Sequence, residues 1–151
     1  MKIFSLFFLL FLLTIACSKK EENFEGFSAE TFAFDLGDKW EVNATVRVKG
    51  VKQVKVEDGD GSEVKVDNGE GYYSALTLNI DLVHPDGKIE KNKFSYTHSK
   101  KSNEILRDIG LEAQFELDST YSDGIYKIVF NISDAHSQKS TSIEKELELK
   151  R

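Results

Sequence analysis

A single cysteine, Cys17, is all the thiol in this chain of 151 residues, so no disulfide can form within it. A small domain of this kind depends on its hydrophobic interior. Long apolar runs are missing too. The longest lies at the amino end, from Ile3 to Leu13, broken only by Ser5; at about a dozen residues it falls short of the roughly 20 a membrane-spanning helix needs. Cations are outnumbered, 20 Lys and Arg against 26 Asp and Glu, which disfavours nucleic acid, whose phosphates are neutralised by clustered Lys and Arg. Catalytic patterns are scarce. His84 and His136 fall in turns and His98 in a polar loop, none in an H-x-H or H-E-x-x-H pair, so zinc has no sequence support and all three read as surface residues. No serine sits in G-x-S-x-G or S-x-x-K, and Gly59, Gly61, Gly69 and Gly71 lead into neither G-K-[ST] nor a helix. The expectation is a protein with no catalytic residue, no metal and no cofactor.

What the chain does have begins at its first residues. Lys2, the apolar run, then Thr14-Ile15-Ala16-Cys17 and a charged Ser18-Lys19-Lys20-Glu21-Glu22-Asn23 stretch have the length and flanks of an export signal, whose apolar core spans about 7–15 residues. This segment resembles a bacterial lipoprotein signal, with Cys17 where signal peptidase cuts. The family favours Leu three positions before the cysteine, where this chain has Thr14. The resemblance implies a signal peptide over 1–16, diacylglycerol on the Cys17 sulfur and a further acyl chain on its amine, which makes membrane attachment lasting. An uncleaved anchor and an ordinary signal with a leftover cysteine are the rival readings. Cleavage removes Lys2 and no acid from the 20 Lys and Arg and 26 Asp and Glu, leaving the mature side chains at about −7. Residues 17–26 lack apolar periodicity and read as a flexible lipidated tether to a domain over 27–151. Lys20-Glu21-Glu22 also resembles the signal that sends Bacteroidota lipoproteins to the cell surface, against which stands periplasmic retention.

Strand patterns fill the domain. Trp40, Val42, Ala44, Val46 and Val48 are apolar at every second position, the mark of a strand with one buried face. Leu76 to Leu82, Leu111 to Leu117 and Tyr126 to Ile132 repeat it. Weaker candidates are Phe27 to Phe34, Val51 to Val56, Glu63 to Val66, Ile89 to Tyr96 and Thr141 to Leu149, the last with acids at 144, 146 and 148 that suit an edge strand. Turn residues separate them, among them His84-Pro85-Asp86-Gly87, where the only proline pre-sets the backbone for a tight turn. One short helix is predicted over 102–109, with Ser102 as cap, Ile105, Leu106 and Ile109 on one face and Gly110 as stop.

Short strands without a long amphipathic helix predict an all-β, antiparallel sandwich of about seven to nine strands. A lipocalin-like barrel is the alternative. Leu111 to Leu117, then Tyr121-Ser122-Asp123-Gly124-Ile125-Tyr126-Lys127-Ile128, then Ser142 to Leu149, resemble strands E, F and G of the immunoglobulin fold, and Asp123-Gly124-Ile125-Tyr126 is similar to its tyrosine corner, whose phenol bonds the preceding loop's backbone. The family's aspartate usually lies where this chain has Ser122, and its second cysteine where it has Ile128. The resemblance covers about the last forty residues and implies a fold, not an activity.

Three surface features remain. Asp58, Asp60 and Ser62 match the first three ligand places of a calcium loop, but Glu63 stands where glycine belongs and Gly69 where an acid belongs, so Glu57 to Glu70 reads either as a non-helical calcium site or as two exposed hairpin turns. Tyr72 and Tyr73 point to opposite faces of a strand, one of them available to a sugar or protein partner. Lys100-Lys101 is too short to mark an anion patch and reads as a solvated loop. Together these features predict a non-catalytic, lipid-anchored protein of the bacterial cell envelope, at the outer membrane and facing periplasm or exterior, that binds an envelope protein or glycan and no nucleic acid. The alternatives are a barrel carrying a small apolar ligand and a calcium-dependent adhesion domain.

Overall fold

The computed structural model describes residues 22–57 and 70–151. Its strands are β1 (Glu25–Asp35), β2 (Lys39–Lys49), β3 (Val54–Glu57), β4 (Glu70–Val83), β5 (Ile89–Ser102), β6 (Asp108–Asp118), β7 (Gly124–Asp134) and β8 (Ser140–Leu149). All the pairings among them are antiparallel. Strands β1-β2-β6 form one sheet; β3, β4, β7 and β8 form the second, with β5 on the free edge of β4. The fold is an immunoglobulin-like sandwich. In that family's lettering β1, β2 and β6 take places A, B and E, while β4, β5, β7 and β8 take C, C′, F and G.

Alternation builds the core. Trp40, Val42, Ala44, Val46 and Val48 from β2 face Leu76, Leu78, Ile80 and Leu82 from β4 and Tyr126, Ile128, Phe130 and Ile132 from β7, all buried. Each fully buried large side chain contributes about 1.5–3 kcal/mol. Two sheets with a filled interior replace the barrel alternative and its ligand cavity. The tyrosine corner is present, since the Tyr126 hydroxyl donates to the Ser122 carbonyl oxygen at 3.1 Å. β8 is an edge strand as predicted, with Glu144, Glu146 and Glu148 exposed. It is tied to β1 by the Thr31 hydroxyl donating to the Glu146 carbonyl.

Several expectations are corrected. No helix forms over 102–109: β5 runs through Ser102 and β6 begins at Asp108. The intervening loop is held by Gln53, whose side-chain amide donates to the Leu106 carbonyl at 2.8 Å and accepts from the Leu106 N–H at 2.9 Å. One side chain thus satisfies a backbone that a helix would otherwise satisfy internally. Ile109 belongs to a period of two, opposite Val48, and Ile105 stands in solvent. β5 outruns its predicted end, so His98, Lys100 and Lys101 lie on a strand rather than in a loop. β1 begins at Glu25, and Phe24 packs against the core, so the first strand begins inside the stretch read as tether. Strand Glu63 to Val66 lies outside the described residues.

Gly50, just past β2, has φ +68, and a Cβ there would sit 2.4 Å from the Asn23 carbonyl oxygen. This close crossing fixes the incoming chain against the end of β2. Gly50→Ala is expected to cost about 2 kcal/mol through a left-handed backbone and a backbone clash, read as a lower urea midpoint with an unchanged slope.

Candidate functional site

Register carries each strand from one end of the sandwich to the other. The starts of β1, β6 and β8 and the ends of β2, β5 and β7 lie at one end, beside the chain's entry; the opposite end holds the His84–Gly87 turn, the β6–β7 corner and the carboxyl terminus. Three features stand out on this frame.

The first is a polar cluster at the far end. Two residues of β4, Ile80 and Leu82, face Phe94 and Glu90 across a bulge in β5, where Asn92 takes φ 52. The bulge swings Glu90 and Lys93 toward the β6–β7 corner. Tyr121 donates to Glu90 Oε2 at 2.7 Å, His84 Nε2 lies 2.7 Å from Oε1, and Lys93 Nζ lies 3.3 Å from Oε2 and donates to the Tyr121 hydroxyl at 2.6 Å. The His84 ring stacks on Tyr121 at 5.5 Å. The Tyr121 hydrogen bond, helped by His84 and Lys93 against the effect of burial, holds the Glu90 carboxyl down at about 2. Burial pushes the Tyr121 phenol up, and Lys93 is also raised, because bonds to Tyr121 and Glu90 outweigh its own burial. Every resolved shift in the cluster runs away from neutrality, whereas a general acid or base works best with a pKa near the operating pH. This geometry favours ionised Glu90 and protonated Lys93 and Tyr121. It ties the β5 bulge to the tyrosine corner.

The second is an aromatic ledge. Phe94, Tyr96, His98 and Lys100 pair with Ile80, Leu78, Leu76 and Ser74 and therefore share the core-facing side of the sheet. The opposing sheet has only three strands. With β1 packed against β8, that sheet reaches β5 only around Phe94, which stacks on Phe115 at 6.1 Å. Beyond it Tyr96 is 40% exposed and bonds His98 Nδ1 at 3.0 Å, while His98 Nε2 is buried without a partner. Burial, with the nearby Lys100 charge, lowers the His98 pKa, so the ring stays neutral. The outer edge of β5 pairs with no described strand.

The third is a cleft of about 430 Å³ at the entry end, between the segment after β2, the 103–107 loop and the β7–β8 turn. Behind its lining residues Lys52, His136 and Ser137 lies Asp134, which is buried. Asp134 accepts from the Lys52 N–H at 2.8 Å, the His136 N–H at 2.9 Å and the Ser137 hydroxyl at 2.8 Å. Burial alone would raise this carboxyl, but those donors bring it below its ordinary value.

The sequence-level candidates are scattered. Cys17 and the Asp58, Asp60 and Ser62 group lie outside the described residues. Tyr72 and Tyr73 do point to opposite faces, and both are half-buried; Tyr73 meets His136 edge-on at 5.6 Å. His84 and His136 sit in turns as expected but are partly covered rather than free on the surface. The Glu90–Tyr121 cluster and the ledge had no motif to announce them. The Asx pattern Asp134-Ala-His-Ser was the one local signal for the β7–β8 turn beside the cleft.

No family model matches the chain, and no curated protein matches it. Among solved structures it is similar to β-glucosidase 3B from Thermotoga neapolitana in complex with α-D-glucose, with glycerol and with glucose, each at 13% identity and a TM-score of 0.30. The match covers 85% of this chain and 17% of the glycosidase chain. At that score the likeness assigns no activity.

Proposed function

We propose that the protein is a lipid-anchored, non-catalytic module of a bacterial cell envelope, held at the outer membrane through Cys17, that binds a partner protein along β5. The observation that carries this reading is the ledge: Tyr96 stands 40% exposed on a sheet face with no described strand across it. An extended segment laid along the free edge of β5 would gain main-chain hydrogen bonds from the strand and apolar contact from the aromatic row. Lys100 along β5 discourages pairing between two copies of this strand and favours an acidic partner. The polar cluster supports the non-catalytic part of the reading, because Glu90, Lys93 and Tyr121 are all shifted away from neutrality.

Two measurements test it. Metabolic labelling with palmitate is expected to mark the wild-type protein and leave Cys17→Ser unlabelled; equal labelling of both would end the anchoring proposal. Capture of envelope proteins on the immobilised full chain is expected to yield a discrete partner, lost by at least about tenfold with Tyr96→Ala. Capture indifferent to Tyr96, or capture of glycan alone, would move the binding surface or change the partner class.

A further inference from the structure

We infer that the entry-end cleft is a binding site for a phosphate group. Charge is the starting point. The chain carries a formal net charge of −6, yet Lys52, Arg107 and Lys139 line this cleft beside the His136 ring, with Glu22 as the acid at its rim. Two of the three arginines are neutralised, Arg47 by Asp108 and Arg151 by Asp35 at 3.7 Å. Arg107 has no carboxylate partner among the described residues, and it lines the cleft. Planar guanidinium forks are matched to phosphate oxygens.

Its walls are built in advance. Gln53 grips the backbone of Leu106 at both N–H and carbonyl, which fixes the residue before Arg107. Asp134 fixes Lys52, His136 and Ser137 by their backbone N–H groups, the Ser137 bond being 3.4 Å. Those donors stabilise its charge without cancelling it, so the cations at the rim must outweigh it. His136 Nε2, also at the cleft, is buried with no hydrogen-bond partner. Backbone anchored in advance leaves only the exposed side chains to be ordered when an anion arrives.

Position suggests where phosphate would come from. Glu22 at the rim is five residues from Cys17, a reach of at most about 18 Å in extended chain. If the anchoring proposed above holds, the cleft faces the bilayer and a lipid headgroup is the nearest phosphate. Free phosphate presents the same chemistry without that premise, so the two sources are separated by experiment.

The full chain, isotope-labelled in zwitterionic micelles, is titrated with inorganic phosphate at constant ionic strength set by chloride, and separately with phosphatidylglycerol added to the micelle. Saturable shifts are expected at the Lys52, Arg107 and Ser137 amides, none at Tyr121, and at least about tenfold weaker binding in Arg107→Ala with Lys52→Ala. Response to phosphate alone assigns a free anion, and response to phosphatidylglycerol alone assigns a headgroup. Shifts with neither probe, or shifts unchanged in the double variant, overturn the site. The phosphate arm needs no acyl chain and therefore stands or falls apart from palmitate labelling.

Discussion

Asp134→Ala is expected to lower the unfolding free energy by about 4 kcal/mol. The carboxylate is 1% exposed and serves three backbone N–H groups, of Lys52, His136 and Ser137, together with the Ser137 hydroxyl. Alanine strands all of them. Bonds to a charged acceptor are worth about 1.5–3 kcal/mol each, and the donors at the cleft recover part of the loss from water. Because a domain of this size has a total stability of about 5–15 kcal/mol, the melting temperature should fall by roughly 10–20 °C. Asp134→Asn keeps one carbonyl oxygen and should fall between. Hydrogen exchange should quicken first around Lys52 and the β7–β8 turn, since Asp134 is what joins a segment 82 residues earlier in the chain to that turn. A variant within about 1 kcal/mol of wild type would mean that water replaces the carboxylate in full.

The pairing partners of Asp134 show what a sequence displays and what it hides. β2, β4, β6 and β7 were legible because each buries one face against the opposing sheet along most of its length, so Trp40 to Val48 or Leu76 to Leu82 must alternate. β5 was legible only to Tyr96. Past that point its inner face overhangs the three-stranded sheet, and a residue there is under no pressure to be apolar; His98 and Lys100 occupy core-side positions that no pattern marks. Ile105, Leu106 and Ile109 mimic a helical face through their spacing, and only Gln53, more than fifty residues earlier, decides otherwise. The far-end cluster was invisible for the same reason. His84, Glu90, Lys93 and Tyr121 meet because a bulge at Asn92 turns one strand toward a corner formed by two others. Local patterns report local constraints, and the candidate sites here are made from distant ones. The signal at Cys17 is the reverse case: it is entirely local and rests on residues outside those the structure describes.

That corner carries the second large expected effect. Glu90→Gln should cost about 2 kcal/mol at pH 7 and flatten the acid limb of the stability profile. The wild-type carboxyl sits at about 2 in the fold against 4.5 for the free group. A carboxyl with a depressed folded pKa binds fewer protons folded than unfolded, so its contribution is complete above pH 4.5 and drains away as the pH falls toward 2. The full shift corresponds to about 3 kcal/mol; a side chain 25% exposed is partly screened, which brings the figure to about 2. The amide would keep the size of the side chain and still accept the Tyr121 hydrogen bond, but it leaves the Lys93 ammonium, 4.8 Å over the Tyr121 ring, without its counter-charge. Lys88, 3.8 Å from Oε1, loses its counter-charge as well, and His84, 2.7 Å from Oε1, loses its carboxylate partner. Asp81, Asp118 and Asp134 are also held below their ordinary values, so some acid sensitivity must survive the substitution. Urea unfolding followed by tryptophan fluorescence at about pH 7, 4.5 and 3 measures the difference. Parallel stability profiles for wild type and variant over that window would show that Glu90 is solvated in the fold and that the bulge in β5 is held by packing instead.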